Sequence, residues 1–208
     1  MEYPKHLGKI AAKNPGLRVP GAFDGFEVAV RAIMGQQVTV KAATTLSGRF
    51  AAKFGEPIAT GAAGLTHLHP TAERIARTSV AEIASLGIIA KRAEAIIALA
   101  QAVLKGQISL EPAVNVEEQI AQLIELPGIG EWTAQYIAMR TLAWPDAFPH
   151  TDLVVMQQLG TGDKKEILRI AEAWRPWRSY ATMQLWKSAI DQGSQAAKVN
   201  GITQRRKK

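Results

Sequence analysis

Leu126-Pro127-Gly128-Ile129-Gly130-Glu131-Trp132-Thr133-Ala134 is the stretch on which the fold turns. It lies between an amphipathic apolar segment over about 116–125 and a second helical segment over about 131–143. Gly128 and Gly130 allow positive φ and leave the turn bare of side chains, so two helices meet here in a tight hairpin. The same texture runs outward in both directions. Long stretches rich in Ala, Leu, Ile, Glu, Lys and Arg repeat at helical spacing, and strand signals are nearly absent. Start and stop signals place helices at about 23–35, 39–54, 71–77, 79–85, 90–105, 116–125, 131–143, 151–159, 163–174 and 177–190. The expected class is therefore all-α, a compact orthogonal helical bundle. Residues 1–22, with Pro15, Gly16, Pro20 and Gly21, suggest an extended arm, 23–192 one helical unit, and 193–208 a flexible basic tail. The segment 55–70 is expected to be a loop.

The chain has 208 residues, 47% hydrophobic and 21% charged, which is enough apolar material for a real core. Of the formal net charge of +7, four charges sit in Arg205-Arg206-Lys207-Lys208, so the folded part is only modestly basic. The absence of cysteine excludes disulfides, thiolate zinc sites, cysteine nucleophiles and cysteine-ligated iron–sulfur clusters. Met1-Glu2-Tyr3-Pro4 opens no apolar signal region, and no stretch approaches a membrane span. A soluble, intracellular protein is expected, cytoplasmic in a bacterium or nuclear in a eukaryote.

Three features carry chemistry. In the hairpin, backbone N–H groups at the start of the second helix point outward beside the positive end of its dipole. Such a turn can hold a DNA phosphate with no lysine or arginine, the logic of a helix–hairpin–helix motif. Gly-x-Gly also occurs in plain helical turns. A fainter copy, Leu86-Gly87-Ile88 followed by Arg92, Ala93 and Ile96, is read first as an ordinary glycine-capped connection between helices. The second feature is Asp146-Ala147-Phe148-Pro149-His150-Thr151-Asp152 before the apolar Leu153-Val154-Val155-Met156. Thr151 or Asp152 is a good N-cap, and a carboxylate fixed there can also stabilise a developing cation. The third is aromatic. Trp132 and Tyr136 lie one helical turn apart, and Trp174, Trp177, Tyr180 and Trp186 cluster toward the C-terminus. Helical spacing of this kind usually builds core, yet such rings also form pockets for planar, electron-poor bases.

Gly128-Ile129-Gly130, Asp152 some twenty residues on, Gly35-Gln36-Gln37-Val38, and Trp174-Arg175-Pro176-Trp177-Arg178-Ser179-Tyr180 occur together and in order. Together, over about residues 16–190, they resemble the helix–hairpin–helix DNA glycosylase superfamily, and within it the DNA-3-methyladenine glycosylase II branch in a short form lacking the N-terminal α+β domain. The resemblance implies a monofunctional glycosylase that flips alkylated bases out of duplex DNA and hydrolyses the N-glycosidic bond, the first step of base excision repair. It implies Asp152 as the catalytic aspartate, Trp132, Tyr136 and Trp186 as the base pocket, and DNA contacts at Gln37, Gly128, Ile129, Gly130 and Thr133. Gln37 falls where relatives insert a wedge into the gap left by the flipped base. Relatives that also cut the strand carry a lysine at the position of Trp132, and an indole is no such nucleophile. The resemblance further implies no cofactor, a monovalent cation at the main-chain carbonyls of Leu126 and Ile129, double-stranded DNA as partner, and a monomer. Glycosylases for uracil or mismatched bases, and noncatalytic hairpin modules that only bind DNA, are the alternatives.

Weaker candidates remain. His67 and His69, two apart in the 55–70 loop without nearby carboxylates, are expected at the surface. His150 either lines a DNA-facing rim or packs, and Arg175 and Arg178 either contact phosphate or pair locally.

Overall fold

The structure, a computed structural model, describes residues 5–112 and 115–205. As the periodicity predicts, it is all-α: eleven helices are described, with one isolated antiparallel bridge between Pro57 and His67. They are α1 (Lys5–Lys13), α2 (Gly25–Met34), α3 (Val40–Phe54), α4 (Ala72–Ala76), α5 (Val80–Ala84), α6 (Ala90–Leu104), α7 (Val116–Glu125), α8 (Glu131–Arg140), α9 (Leu153–Leu159), α10 (Lys164–Glu172) and α11 (Arg178–Arg205). Among the described residues no helix is long and apolar enough to cross a membrane.

The caps seen in the sequence set most boundaries. Asp24 accepts from the amides of Phe26 and Glu27 at the start of α2, Thr39 caps α3, and Ser79 with Glu82 forms a capping box on α5. Gly160 closes α9 in the left-handed conformation.

The chain separates into two compact units, residues 21–144 and residues 1–20 with 145–208. In the first, α6 packs on α2, α4 and α5, and α8 packs on α2 and α7. Its core includes Ile33, Phe50, Ile75, Ile83, Ile96, Leu99, Leu123 and Ile137. In the second, Phe148, Val155, Ile167, Trp174, Ala181 and Leu185 form a core that also takes Leu7 of α1.

Two terminal expectations change. Residues 5–13 are helical rather than an extended arm, because Leu7 and Ile10 pack into the core formed by α9–α11. The nine-residue segment carries Gly8 and no capping signal, so tertiary burial rather than propensity makes it a helix. At the other end α11 continues through Arg205, where the sequence suggests a stop near residue 190 and a flexible tail. Gln195, Ala196, Ala197 and Lys198 favour helix, and neither Gly193 nor Gly201 is followed by a proline that would enforce a stop. Residues 206–208 of the basic tail lie outside the described residues.

His69 departs from the surface position expected of it. Its ring sits 5.9 Å from Phe26 and 5.7 Å from Phe50, and both ring nitrogens are buried without a hydrogen-bond partner. Burial pushes its pKa below the ordinary histidine value, against weaker pulls upward from Glu27, Asp24 and the Pro70 carbonyl. A histidine kept neutral by the fold binds its proton more readily in the unfolded chain. Stability therefore falls as pH drops from about 6.5 toward the lowered folded-state value. Replacing His69 with leucine, His69→Leu, is expected to remove this pH dependence and raise unfolding free energy at neutral pH by about 1 kcal/mol. Urea unfolding between pH 5 and pH 8 measures both effects.

Candidate active site and DNA-binding hairpin

The connection from α7 to α8 is a tight glycine turn. Gly128 has φ +77°, and a Cβ there would stand 3.0 Å from the Ala95 Cβ and 3.4 Å from the Lys91 carbonyl, so glycine answers both a conformational and a spatial demand. Ile129 is buried, with its N–H on the Leu126 carbonyl at 3.2 Å. Gly130, exposed at the N-cap of α8, brings no capping side chain. Thr133 is buried with its side chain turned inward rather than toward solvent.

The faint internal copy has a matching backbone. Gly87 has φ +91°, Ile88 is buried like Ile129, and Ile89 stands at the N-cap of α6 with no side-chain cap bond. A groove of about 610 Å³ is lined by Gln36, Gln37, Ile89, Lys91, Arg92 and the hairpin residues from Ile124 to Gly130.

At the end of α2, Gln36 and Gln37 take different roles. The Gln36 amide donates from Nε2 to the Gly128 carbonyl at 3.0 Å and to Thr133 Oγ1 at 2.9 Å. Its own carbonyl accepts from Arg92 Nη2. Gln37 is exposed, and its φ of +53° is rare for a residue with a side chain. Sequence reasoning singled out Gln37 and passed over its neighbour and Arg92, although Gln36 stands in the same quoted tetrapeptide. On α8, Trp132 and Tyr136 stack with centroids 5.3 Å apart and planes 16° from parallel. Arg140 donates to the Tyr136 hydroxyl at 2.7 Å.

The other unit holds Asp152 and Trp186. Asp152 is buried at the N-cap of α9, where Oδ1 accepts from the amides of Val154 (2.9 Å) and Val155 (3.0 Å) and from Trp186 Nε1 on α11 (3.0 Å). The two readings of this residue thus coexist: it is an N-cap, and it is also bound to one of the aromatic side chains singled out for a pocket. The segment leading to it is fastened to the start of α11. Ser179 donates its amide to the Pro145 carbonyl and its hydroxyl to the Ala147 carbonyl. Asp146 accepts from Arg178 Nε (2.8 Å) and Nη2 (2.7 Å) and from Arg175 Nη1 (2.7 Å). Both arginines therefore pair locally, and Asp146, which the sequence marked only as the start of a motif, is the buried anchor. His150 is buried. Trp174 packs edge-to-face on Phe148 at 5.8 Å, a core position as its helical spacing suggests.

Asp146 is 4% exposed and Arg178 8%, so removing one partner strands a charge out of water. Asp146→Asn is expected to lower unfolding free energy by about 3 kcal/mol. Arg178→Met should cost less, because Arg175 still neutralises Asp146; chemical denaturation of the two variants orders them.

Comparison with known proteins places this arrangement. The pattern of the HhH-GPD superfamily base excision DNA repair proteins matches residues 30–180. The chain is 40% identical over 180 residues to DNA-3-methyladenine glycosylase 2 of Escherichia coli, covering 86% of this chain and 63% of that protein. It is 35% identical over 186 residues to a Bacillus subtilis DNA-3-methyladenine glycosylase, covering 85% and 61% respectively. It thus spans less than two thirds of the length of either relative. Among solved structures, the Schizosaccharomyces pombe 3-methyladenine DNA glycosylase in complex with abasic DNA superposes with a TM-score of 0.70 at 25% identity, over 89% of this chain and 90% of that one. With the glycine hairpin, the helix-capping aspartate and this match over most of its length, the chain belongs to the HhH-GPD superfamily of base excision DNA repair proteins.

Proposed function

We propose that this chain is a monofunctional DNA glycosylase that releases alkylated bases of the 3-methyladenine type from duplex DNA. The observation that carries the reading is Asp152, whose Oδ1 is held by three N–H donors and so cannot swing away from its place. The two relatives named as 3-methyladenine glycosylases support the substrate class.

An N-alkylated purine in DNA already carries a positive charge. When its bond to the sugar C1′ breaks, the electron pair stays with the base and neutralises it, while positive charge develops on the sugar ring. A carboxylate fixed beforehand beside that carbon lowers the barrier because it need not reorganise as the charge appears. Water then adds its hydroxyl to C1′, the proton leaves to solvent, and an abasic site remains. The stacked Trp132 and Tyr136 of one unit, and Trp186 of the other, are rings of the kind that favours a cationic base over a normal one. With Trp132 at the position of the strand-cutting lysine, no amine is offered there for a Schiff base.

For duplex binding, the hairpin amides at the start of α8 would take a backbone phosphate. Gln37, exposed beside the hairpin groove, would fill the gap behind the flipped nucleotide. A monovalent cation would draw on the carbonyls of Leu126 and Ile129. The Leu126 carbonyl accepts one bond at 3.2 Å, which leaves it a lone pair for such an ion.

Release of 3-methyladenine from methylated duplex DNA tests the reading directly. Asp152→Asn keeps an N-cap acceptor, so stability should change by no more than about 1 kcal/mol while base release falls at least about 100-fold. Strand breaks should follow only after alkali. Base release by Asp152→Asn at the wild-type rate would overturn the assignment, and breaks without alkali would overturn the monofunctional reading. At the hairpin, Gly130→Ala meets nothing within 4 Å and should cost less than about 1 kcal/mol, yet its methyl group stands before the helix start. Duplex affinity, read by fluorescence anisotropy, is expected to fall several-fold.

A further inference from the structure

Gln36 is bound on three sides, and each bond reaches a different part of the residue 21–144 unit. Both hydrogens of its side-chain amide are used, one on the Gly128 carbonyl inside the hairpin turn and one on Thr133 Oγ1 in the first turn of α8. Its main-chain carbonyl accepts from Arg92, in the first turn of α6. That carbonyl belongs to the peptide plane joining Gln36 to Gln37, so holding it fixes the frame from which the φ of Gln37 is measured. Gln37 then adopts φ +53°, a backbone region that a residue with a side chain keeps only when its surroundings over-determine it. The next turn closes loosely, with the Val38 amide 3.5 Å from the Gly35 carbonyl, so local backbone bonding does little to impose this shape.

We propose that Gln36 is a positioning residue that locks Gln37 in its left-handed conformation and ties it to the hairpin, so that the phosphate-binding turn and the residue filling the gap move as one piece. The proposal rests on the glycosylase reading above, in which the hairpin binds backbone and Gln37 enters the stack. The chemistry is specific to glutamine. Glutamate at this position cannot donate and sets a carboxylate against the Gly128 carbonyl, asparagine is one methylene short, and methionine keeps the length while losing both donors. Lysine would bring a charge to a half-buried place that already has Arg92 beside it.

The test compares affinities for a duplex containing a tetrahydrofuran abasic analogue and for the same duplex intact, the ratio reporting how well the gap is filled. Wild type is expected to prefer the analogue. Gln37→Ala and Gln36→Met should each reduce that preference about tenfold, and the double variant should lose no more than either single, because the two act through one element. A merely structural role for Gln36 would lower thermal stability and both affinities together without moving the ratio. Thr133→Val removes one acceptor while leaving Gln36 in place, and a partial loss of preference is expected; it decides the matter if Gln36→Met does not fold. An unchanged ratio in Gln36→Met or Thr133→Val, or multiplying losses in the double variant, overturns the coupling while leaving the glycosylase reading intact. A wild type with no preference for the analogue overturns the gap-filling role of Gln37 and this proposal with it, whereas base release from methylated DNA judges the glycosylase reading by itself.

Discussion

An α-helix opens with N–H groups that its own carbonyls do not reach, and how each helix here meets that need organises the molecule. Five starts are closed by an ordinary polar side chain, at Asp24, Thr39, Thr71, Ser79 and Asp163. The two that follow glycine turns, α6 and α8, have no side-chain cap. The start of α9 is closed by a carboxylate that also receives an indole N–H. Capping is thus both the local rule that shapes the chain and the place where chemistry departs from it. A turn stripped of side chains offers the helix start no cap of its own, and a cap bound by three donors keeps its carboxyl in one place.

Buried polar contacts then set the precision of these parts. Asp146 is surrounded by two guanidinium groups, and together with Ser179 they fasten the segment that ends in Asp152 to the same helix that carries Trp186. The Asp146–Arg178 pair, buried on both sides, adds little net stability against an apolar substitute, but such a pair tolerates few alternative arrangements. The aromatic cluster of α8 is treated similarly, since Arg140 holds the Tyr136 hydroxyl while lying 5.5 Å over the ring. These are devices for placing side chains rather than for adding bulk to a core.

Much of this was legible in the residues alone, for identifiable reasons. The helices α2 to α11 announce themselves through caps, glycine stops and apolar spacing, and the hairpin turn is recognisable because few residues other than glycine satisfy the backbone at position 128. The pairing of Gly87 with Gly128 was visible as a weak echo and became firm only once both φ angles proved positive. What stayed hidden depends on distant partners. Nothing near residue 7 says that Leu7 will join the cluster of Phe148, Val155 and Leu185, so α1 looks like an arm. Arginines beside tryptophans look as ready for phosphate as for a carboxylate until Asp146 is found between them. His69 looks like a loop histidine because the two phenylalanine rings that enclose it come from two different helices.

The arrangement of the units along the chain has a consequence for how the protein comes into being. The unit over residues 21–144 is continuous, so all of its residues have been joined before those of the second flank. The other unit is assembled from both flanks of that insert, and Leu7 joins a cluster whose other buried members begin at Phe148. Closing so long a loop is slow, and it is cheaper once the intervening stretch has collapsed into a compact body. Synthesis therefore completes the continuous hairpin-bearing unit before the second flank of the other unit has been made.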